Sequence, residues 1–154
     1  MNRRHASTAF LIVTLMLGAC ATAHANDERL GQTRFGRLSI GKYGGPLLLD
    51  EHPIRPEIRG NESLDILRVF RVGSSDVVLV QDNGGSGCPA QMMFVTLNKS
   101  GISASDEFGT CATELRASQR GDRILVTMPL LDGHGAKRFI FSRGLVTEVG
   151  KPIN

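Results

Sequence analysis

The residues that come closest to chemistry in this chain are Asp82-Asn83-Gly84-Gly85-Ser86-Gly87-Cys88-Pro89. A serine among glycines suggests a nucleophile elbow, but G-x-S-x-G must be followed by a helix. Here Cys88 stands where the last glycine belongs, and a strand pattern comes next. A calcium loop needs acids at regular spacing, and the run offers only Asp82. A phosphate loop needs a lysine at a helix N-terminus, which is missing. The run therefore reads as a connection between two central strands, in which the glycines allow positive φ and Pro89 stiffens the approach to Cys88.

Other patterns carry less. Ser39-Ile40-Gly41-Lys42 matches S-x-x-K, but Gly41, Gly44 and Gly45 oppose the helix that this pairing of nucleophile and base requires, and no K-T-G follows. Arg120-Gly121-Asp122 spells an adhesion tripeptide, at a place where turn residues are favoured anyway. His134 in Asp132-Gly133-His134-Gly135 could bind a metal or shuttle a proton, because neutral imidazole is both ligand and base. The other histidine beyond the leader, His52, has no second motif beside it, so both read as surface loop residues. The expectation is no catalytic residue, no metal and no cofactor.

The compartment follows from the N-terminus. Arg3 and Arg4 give a positive start, Ala9 to Leu17 is an apolar run, and Ala23-His24-Ala25 fits a small-x-small cleavage site. Residues 1–25 read as an export signal, with the alternative of lipoprotein cleavage before Cys20, because Leu17-Gly18-Ala19-Cys20 looks like a bacterial lipobox. The expected location is periplasmic or secreted, or the outer membrane if Cys20 is lipidated. The whole chain carries 18 basic and 15 acidic residues, and loss of Arg3 and Arg4 lowers its net charge from +3 to +1. So even a balance does not suggest a nucleic-acid binder.

After processing, only Cys88 and Cys111 remain in the folded part. An even pair in an oxidising compartment reads as a disulfide. A metal pair or a catalytic thiol would want C-x-x-C spacing or a histidine cluster, and neither is present.

What positions these residues is a series of short apolar runs broken by Gly, Asn, Asp or Ser, the rhythm of strands and turns. Asp76 to Gln81 is apolar and β-branched, as in a strand covered on both faces, and pairs as a hairpin with Leu64 to Val72 across Gly73-Ser74-Ser75. Met92 to Leu97 follows, with Ile102 to Ser105 as its return. Arg123 to Met128, Lys137 to Ser142 and Leu145 to Val149 read as strands. Ala112 to Gln119 is ambiguous with helix, and strand is preferred. Leu47 to Asp50 is a short strand running into an irregular loop at Pro53, Pro56 and Gly60. Pro129 and Pro152 fall at strand ends. The expectation is a short tail over 26–33 and one all-β domain over 34–154, an antiparallel sandwich or barrel built from hairpins and braced by one disulfide.

The runs Gly84 to Ala90, Phe94 to Leu97, Glu107-Phe108-Gly109-Thr110-Cys111 and Val126 to Pro129 resemble a group of small exported bacterial proteins of uncharacterised function that carry G-G-x-x-C-P and E-F-G-T-C. The resemblance spans roughly residues 34–154 and implies no activity. Periplasmic lysozyme inhibitors share size, export and β content, but their S-G-x-x-Y motif is missing here, so that analogy is one of architecture alone. The functional expectation is a non-enzymatic envelope protein that binds another envelope or secreted protein as an inhibitor or immunity-type protector. Asn83, Gly84, Gly85, Ser86 and His134 would lie on its contact loops. The alternatives are a lipid-anchored structural component, or a small hydrolase using Ser86 or His134.

Overall fold

The computed structural model describes residues 31–150, in which every regular element is a strand. Residues 1–25, read from the sequence as an export signal and including Cys20, together with residues 26–30 and Pro152, lie outside the described residues. Three antiparallel sheets stack as layers. The first holds β1 (Gln32–Thr33), β2 (Gly36–Ile40), β3 (Leu47–Leu49) and β4 (His52–Pro53) in that order. The central sheet holds β5 (Ser63–Val72), β6 (Ser75–Asn83), β7 (Ala90–Asn98) and β8 (Gly101–Ala104), with β9 (Phe108–Cys111) also paired to β7. The third holds β10 (Arg116–Arg120), β11 (Arg123–Pro129), β12 (Ala136–Ser142) and β13 (Leu145–Glu148). None of the sheets closes, so the fold is sandwich-like and not a barrel. The first sheet begins at Gln32, inside the stretch read from sequence as a tail.

The middle layer explains the composition of β6. Val77 and Leu79 point into one core with Phe70, Met92 and Phe94, and meet Ile124, Val126, Met128, Phe139 and Phe141 of the third sheet. Val78 and Val80 point the other way with Met93, Val95 and Leu97, and meet Leu38, Leu47, Ile54 and Ile58. A strand with a partner layer on each face has no polar side to show, which is why the run is apolar throughout. In the first core Phe94 lies 4.6 Å from Phe141 and 5.4 Å from Phe108, whose ring is 5.0 Å from Phe139. The two tilted contacts, from Phe94 to Phe141 and from Phe108 to Phe139, bind the third sheet to the central one.

The return strand after β7 is interrupted. β8 pairs with Val95 to Asn98, the chain kinks through Ser105 to Glu107, and β9 resumes on the same edge opposite Ala90 and Met92. Ser105 stitches the kink: its amide donates to the Phe94 carbonyl at 2.9 Å, and its hydroxyl accepts the Phe94 amide at 3.0 Å. At the end of β9, Cys111 has φ +67° and redirects the chain toward the third sheet. The strand expected over Ala112 to Gln119 is accordingly shorter. Ala112 to Leu115 is irregular, because it carries the chain between layers, and β10 begins only at Arg116.

Candidate functional site

The two ends of the molecule are built differently. Two-residue turns join β1 to β2, β3 to β4, β5 to β6, β7 to β8, β10 to β11 and β12 to β13. All lie at one end. Arg34 of the first turn reaches the carbonyls of Gly73 and Ser75, and Gln119 beside the β10–β11 turn reaches that of Arg71. The longer connections, residues 41–46, 54–62, 84–89, 112–115 and 130–135, gather at the other end. Loops positioned by a rigid scaffold are where binding residues concentrate, so the loop end is the candidate site.

Its members touch in series. A side chain at Gly44, where φ is +70°, would stand 2.4 Å from the Glu62 carbonyl oxygen, so the 41–46 loop lies directly on Glu62. Glu62 in turn donates its amide to the Asn83 carbonyl at 2.9 Å. The loop 84–89 closes on itself, with Gly84 N–H donating to the Pro89 carbonyl at 3.0 Å and Cys88 N–H to that of Gly85 at 3.2 Å. Cys88 is bonded to Cys111. Beyond the bond, Pro89, Ala112, Pro129, Leu130 and Leu131 wall a shallow apolar groove, with Glu114 and Gly133 also on its lining.

Glycines 84, 85 and 87 do not take the positive φ expected of them. Gly84 is required for close approach instead: a Cβ there would lie 2.3 Å from the Cys88 carbonyl oxygen. Ser86 and Gly87 form the exposed tip of a turn that any residue could adopt. Asn83 is tied down, its side-chain amide donating to Ser63 at 2.9 Å and Asp65 at 2.8 Å while its carbonyl accepts from buried Gln81 at 2.6 Å.

Ser86 and His134 both sit at this end, but on separate loops. Among the described residues neither side chain makes a hydrogen bond; the His134 turn is held by backbone bonds from Gly133 to Leu130 at 2.9 Å and from Leu130 to Gly135 at 3.0 Å, and by the His134 amide donating to Asp132 at 2.9 Å. His52 lies at the turn end, where its Nδ1 is 2.6 Å from the Asp50 carbonyl oxygen. Ser39 and Lys42 are divided between β2 and the following loop, with no helix to align them. Arg120-Gly121-Asp122 is the β10–β11 turn. No three His, Cys, Asp or Glu side chains among the described residues converge as metal ligands.

Tyr43 and Leu131 belong to the loop end without any sequence pattern that marks them as site residues. Tyr43 is the chain's one tyrosine; its side chain is wholly in water at 103 % relative exposure, and its φ of +57° is left-handed. Leu131 is 59 % exposed on the far side of the loop end. A lone aromatic among glycines has no periodicity to mark it, although Gly41-Lys42-Tyr43-Gly44-Gly45 is a recognisable loop composition.

On the rim, Glu107 lies against Asp82, whose carboxylate also accepts the Asn61 amide at 2.7 Å. Partial burial, then the negative charge of Asp82 and a hydrogen bond between the two carboxyls, push the Glu107 carboxyl above the usual glutamate range.

No family model matches this chain. Neither does any curated protein or solved structure.

Proposed function

We propose that this is an exported, non-enzymatic binding module of the bacterial envelope, and that the loop end is its contact surface for another envelope or secreted protein. The observation that carries the proposal is Tyr43. A left-handed tyrosine with no packing costs stability and returns none to the fold, and local strain of that kind is kept where it serves a site. Tyrosine is also a favoured interface anchor, combining a large contact area with few rotatable bonds. Leu131 and the groove beside the disulfide supply apolar area on the opposite flank of the same end.

An inhibitor or an immunity-type protector suits this arrangement, because adaptable loops on a braced scaffold can block a partner's site without chemistry of their own. Immobilised mature protein should retain one stoichiometric partner from envelope extract. Tyr43→Ser combined with Leu131→Ser should lose it while keeping the wild-type thermal midpoint. A wild-type protein that retains none, or a double variant that retains the same partner, overturns the proposal.

A further inference from the structure

The near-neutral net charge conceals a one-sided distribution. In the third sheet, alternate residues point away from the core, and the register arranges the outward ones in four rows, of which the paired Pro129 and Ala136 form the one nearest the loop end. Arg116, Thr127 and Arg138 form the next row. Ser118, Leu125, Ile140 and Thr147 form the middle row. Arg120 and Arg123, directly opposite each other, and then Ser142 and Leu145 form the row at the turn end.

The three rows that follow Pro129 and Ala136 hold four arginines and no carboxylate; Glu114 lies beside Arg116 and Thr127 at the loop-end margin, and Asp122 is in the turn at the other end. Among the described residues none of the four guanidiniums is in a salt bridge or donates a hydrogen bond; the ion pairs are Arg34–Asp76, Arg59–Glu57 and Lys137–Glu148. Like charges facing each other across strands oppose pairing, so Arg120 and Arg123 weaken the sheet they sit on. Leu125 and Ile140 are half-buried between the charged rows, and Leu145 protrudes at the corner, 72 % exposed. The outward face of the first sheet differs, for there Arg37 has Asp50 beside it, with its amide donating to that carboxylate at 2.8 Å.

We infer that the outer face of β10–β13 docks on an anionic phospholipid surface. Guanidinium groups bind phosphate through paired hydrogen bonds, which favours headgroup phosphates as partners for a face whose cations are all arginine. The apolar middle row and Leu145 would rest at the level where headgroups meet acyl chains, with the arginines extending to the phosphates around them. A protein partner would be expected to present cations as well as anions, and the rows that carry the arginines have no carboxylate to receive them, Glu114 standing at their margin. Four strands about 4.8 Å apart make a patch roughly 14 Å wide, flat enough to lie on a bilayer.

The test is co-sedimentation of the mature protein with vesicles of phosphatidylcholine containing about one third phosphatidylglycerol, with pure phosphatidylcholine vesicles as control. The wild type should sediment with the anionic vesicles and not the neutral ones, and should be released as salt is raised. Arg120→Gln, Arg123→Gln and Arg138→Gln together should weaken binding at least tenfold, and Leu145→Ser should weaken it at low salt and high salt alike. All these positions face solvent, and an unchanged thermal midpoint confirms that the variants fold. Absence of wild-type binding to anionic vesicles, or a triple variant that binds as tightly as wild type, overturns the inference. So does binding to soluble polyglutamate with no vesicle binding, which would assign the face to an acidic protein.

Discussion

Cys88 and Cys111 are bonded with their Cα atoms 4.7 Å apart, and the bond pins the loop before β7 to the last residue of β9, where the chain leaves the central sheet for the third. The bridge thus fixes both the shape of the loop end and the take-off point of the crossover. Its loss should cost about 2–5 kcal/mol, and Cys88→Ser should cost about as much as Cys111→Ser. Urea unfolding of both variants, with thiol titration of the unfolded, unreduced wild type, checks this. Two reactive thiols at 88 and 111 would contradict it. Cys111 also has φ +67°, so in a Cys88→Ser background Cys111→Gly should be the more stable choice than Cys111→Ser, by up to about 1 kcal/mol.

Gly84 and Gly87 stand three residues apart in one loop and should respond oppositely to the same change. At Gly84 a methyl group meets the Cys88 carbonyl oxygen at 2.3 Å, whereas at Gly87 nothing lies within 4 Å. Gly84→Ala should destabilise by roughly 1–3 kcal/mol, as overpacking does, and Gly87→Ala should stay within about 0.5 kcal/mol of wild type. Paired denaturation curves decide it, and equal midpoints for the two variants would refute the close-approach explanation.

Asp76 is 1 % exposed and depends on Arg34, whose Nε donates to it at 2.7 Å and whose backbone amide donates at 2.5 Å. This pair clamps the first sheet's turn to the central hairpin. Asp76→Ala removes two charge-assisted bonds at once and should cost about 2–4 kcal/mol, whereas Arg34→Ala leaves a buried carboxylate without its cation and should cost at least as much. Comparable, near-zero effects in both variants would show that the clamp contributes nothing.

How much of this could be read beforehand depends on where the information resides. The sequence of β6 is legible, since Val77 to Val80 can be apolar on both faces only if both faces are covered, and the tight hairpin turns are spelled by local residues. The layering is not legible: nothing local distinguishes the hairpins of the third sheet from further strands of the central one. β9 is not legible, because only Phe108 of its four residues is buried and its pairing to β7 is irregular. The sorting of short turns to one end and long loops to the other is a product of the three sheets' mutual register. The glycines of the 84–89 loop are legible as special, but their reason is not, because a close approach to Cys88 leaves no mark in the sequence that differs from a need for positive φ.

The Glu107 carboxyl retains its proton to higher pH when folded than an ordinary glutamate does. Between the ordinary glutamate pKa and the raised one, the folded state binds more protons than the unfolded state, so this group's contribution to stability is fully present at low pH and is lost as pH rises through that window. Glu107 is exposed to solvent, so the effect is screened and small. Glu107→Gln should cancel it, so that the variant gains stability relative to wild type as pH rises from the ordinary glutamate pKa through the raised one. A set of urea midpoints across that range measures the difference, and a gain of the opposite sign would contradict the assigned environment.

Tyr43 offers the sharpest separation of folding from binding. Glycine at this left-handed, wholly exposed position removes backbone strain and forfeits no burial, so Tyr43→Gly should leave stability unchanged or raise it by up to about 1 kcal/mol. Thermal unfolding of the variant beside wild type checks it. A fall of more than about 1 kcal/mol would mean that the tyrosine supports the fold rather than a partner.

The central claim, that the loop end is the contact surface, is tested most directly by a photo-crosslinking amino acid placed in the full chain in living cells, at Tyr43 and Leu131 on one end and at Ser74 and Lys99 on the other. Crosslinks to a single partner protein from Tyr43 and Leu131, and none from Ser74 or Lys99, are the predicted result. No adduct from the loop end, or the same adducts from both ends, would contradict the claim.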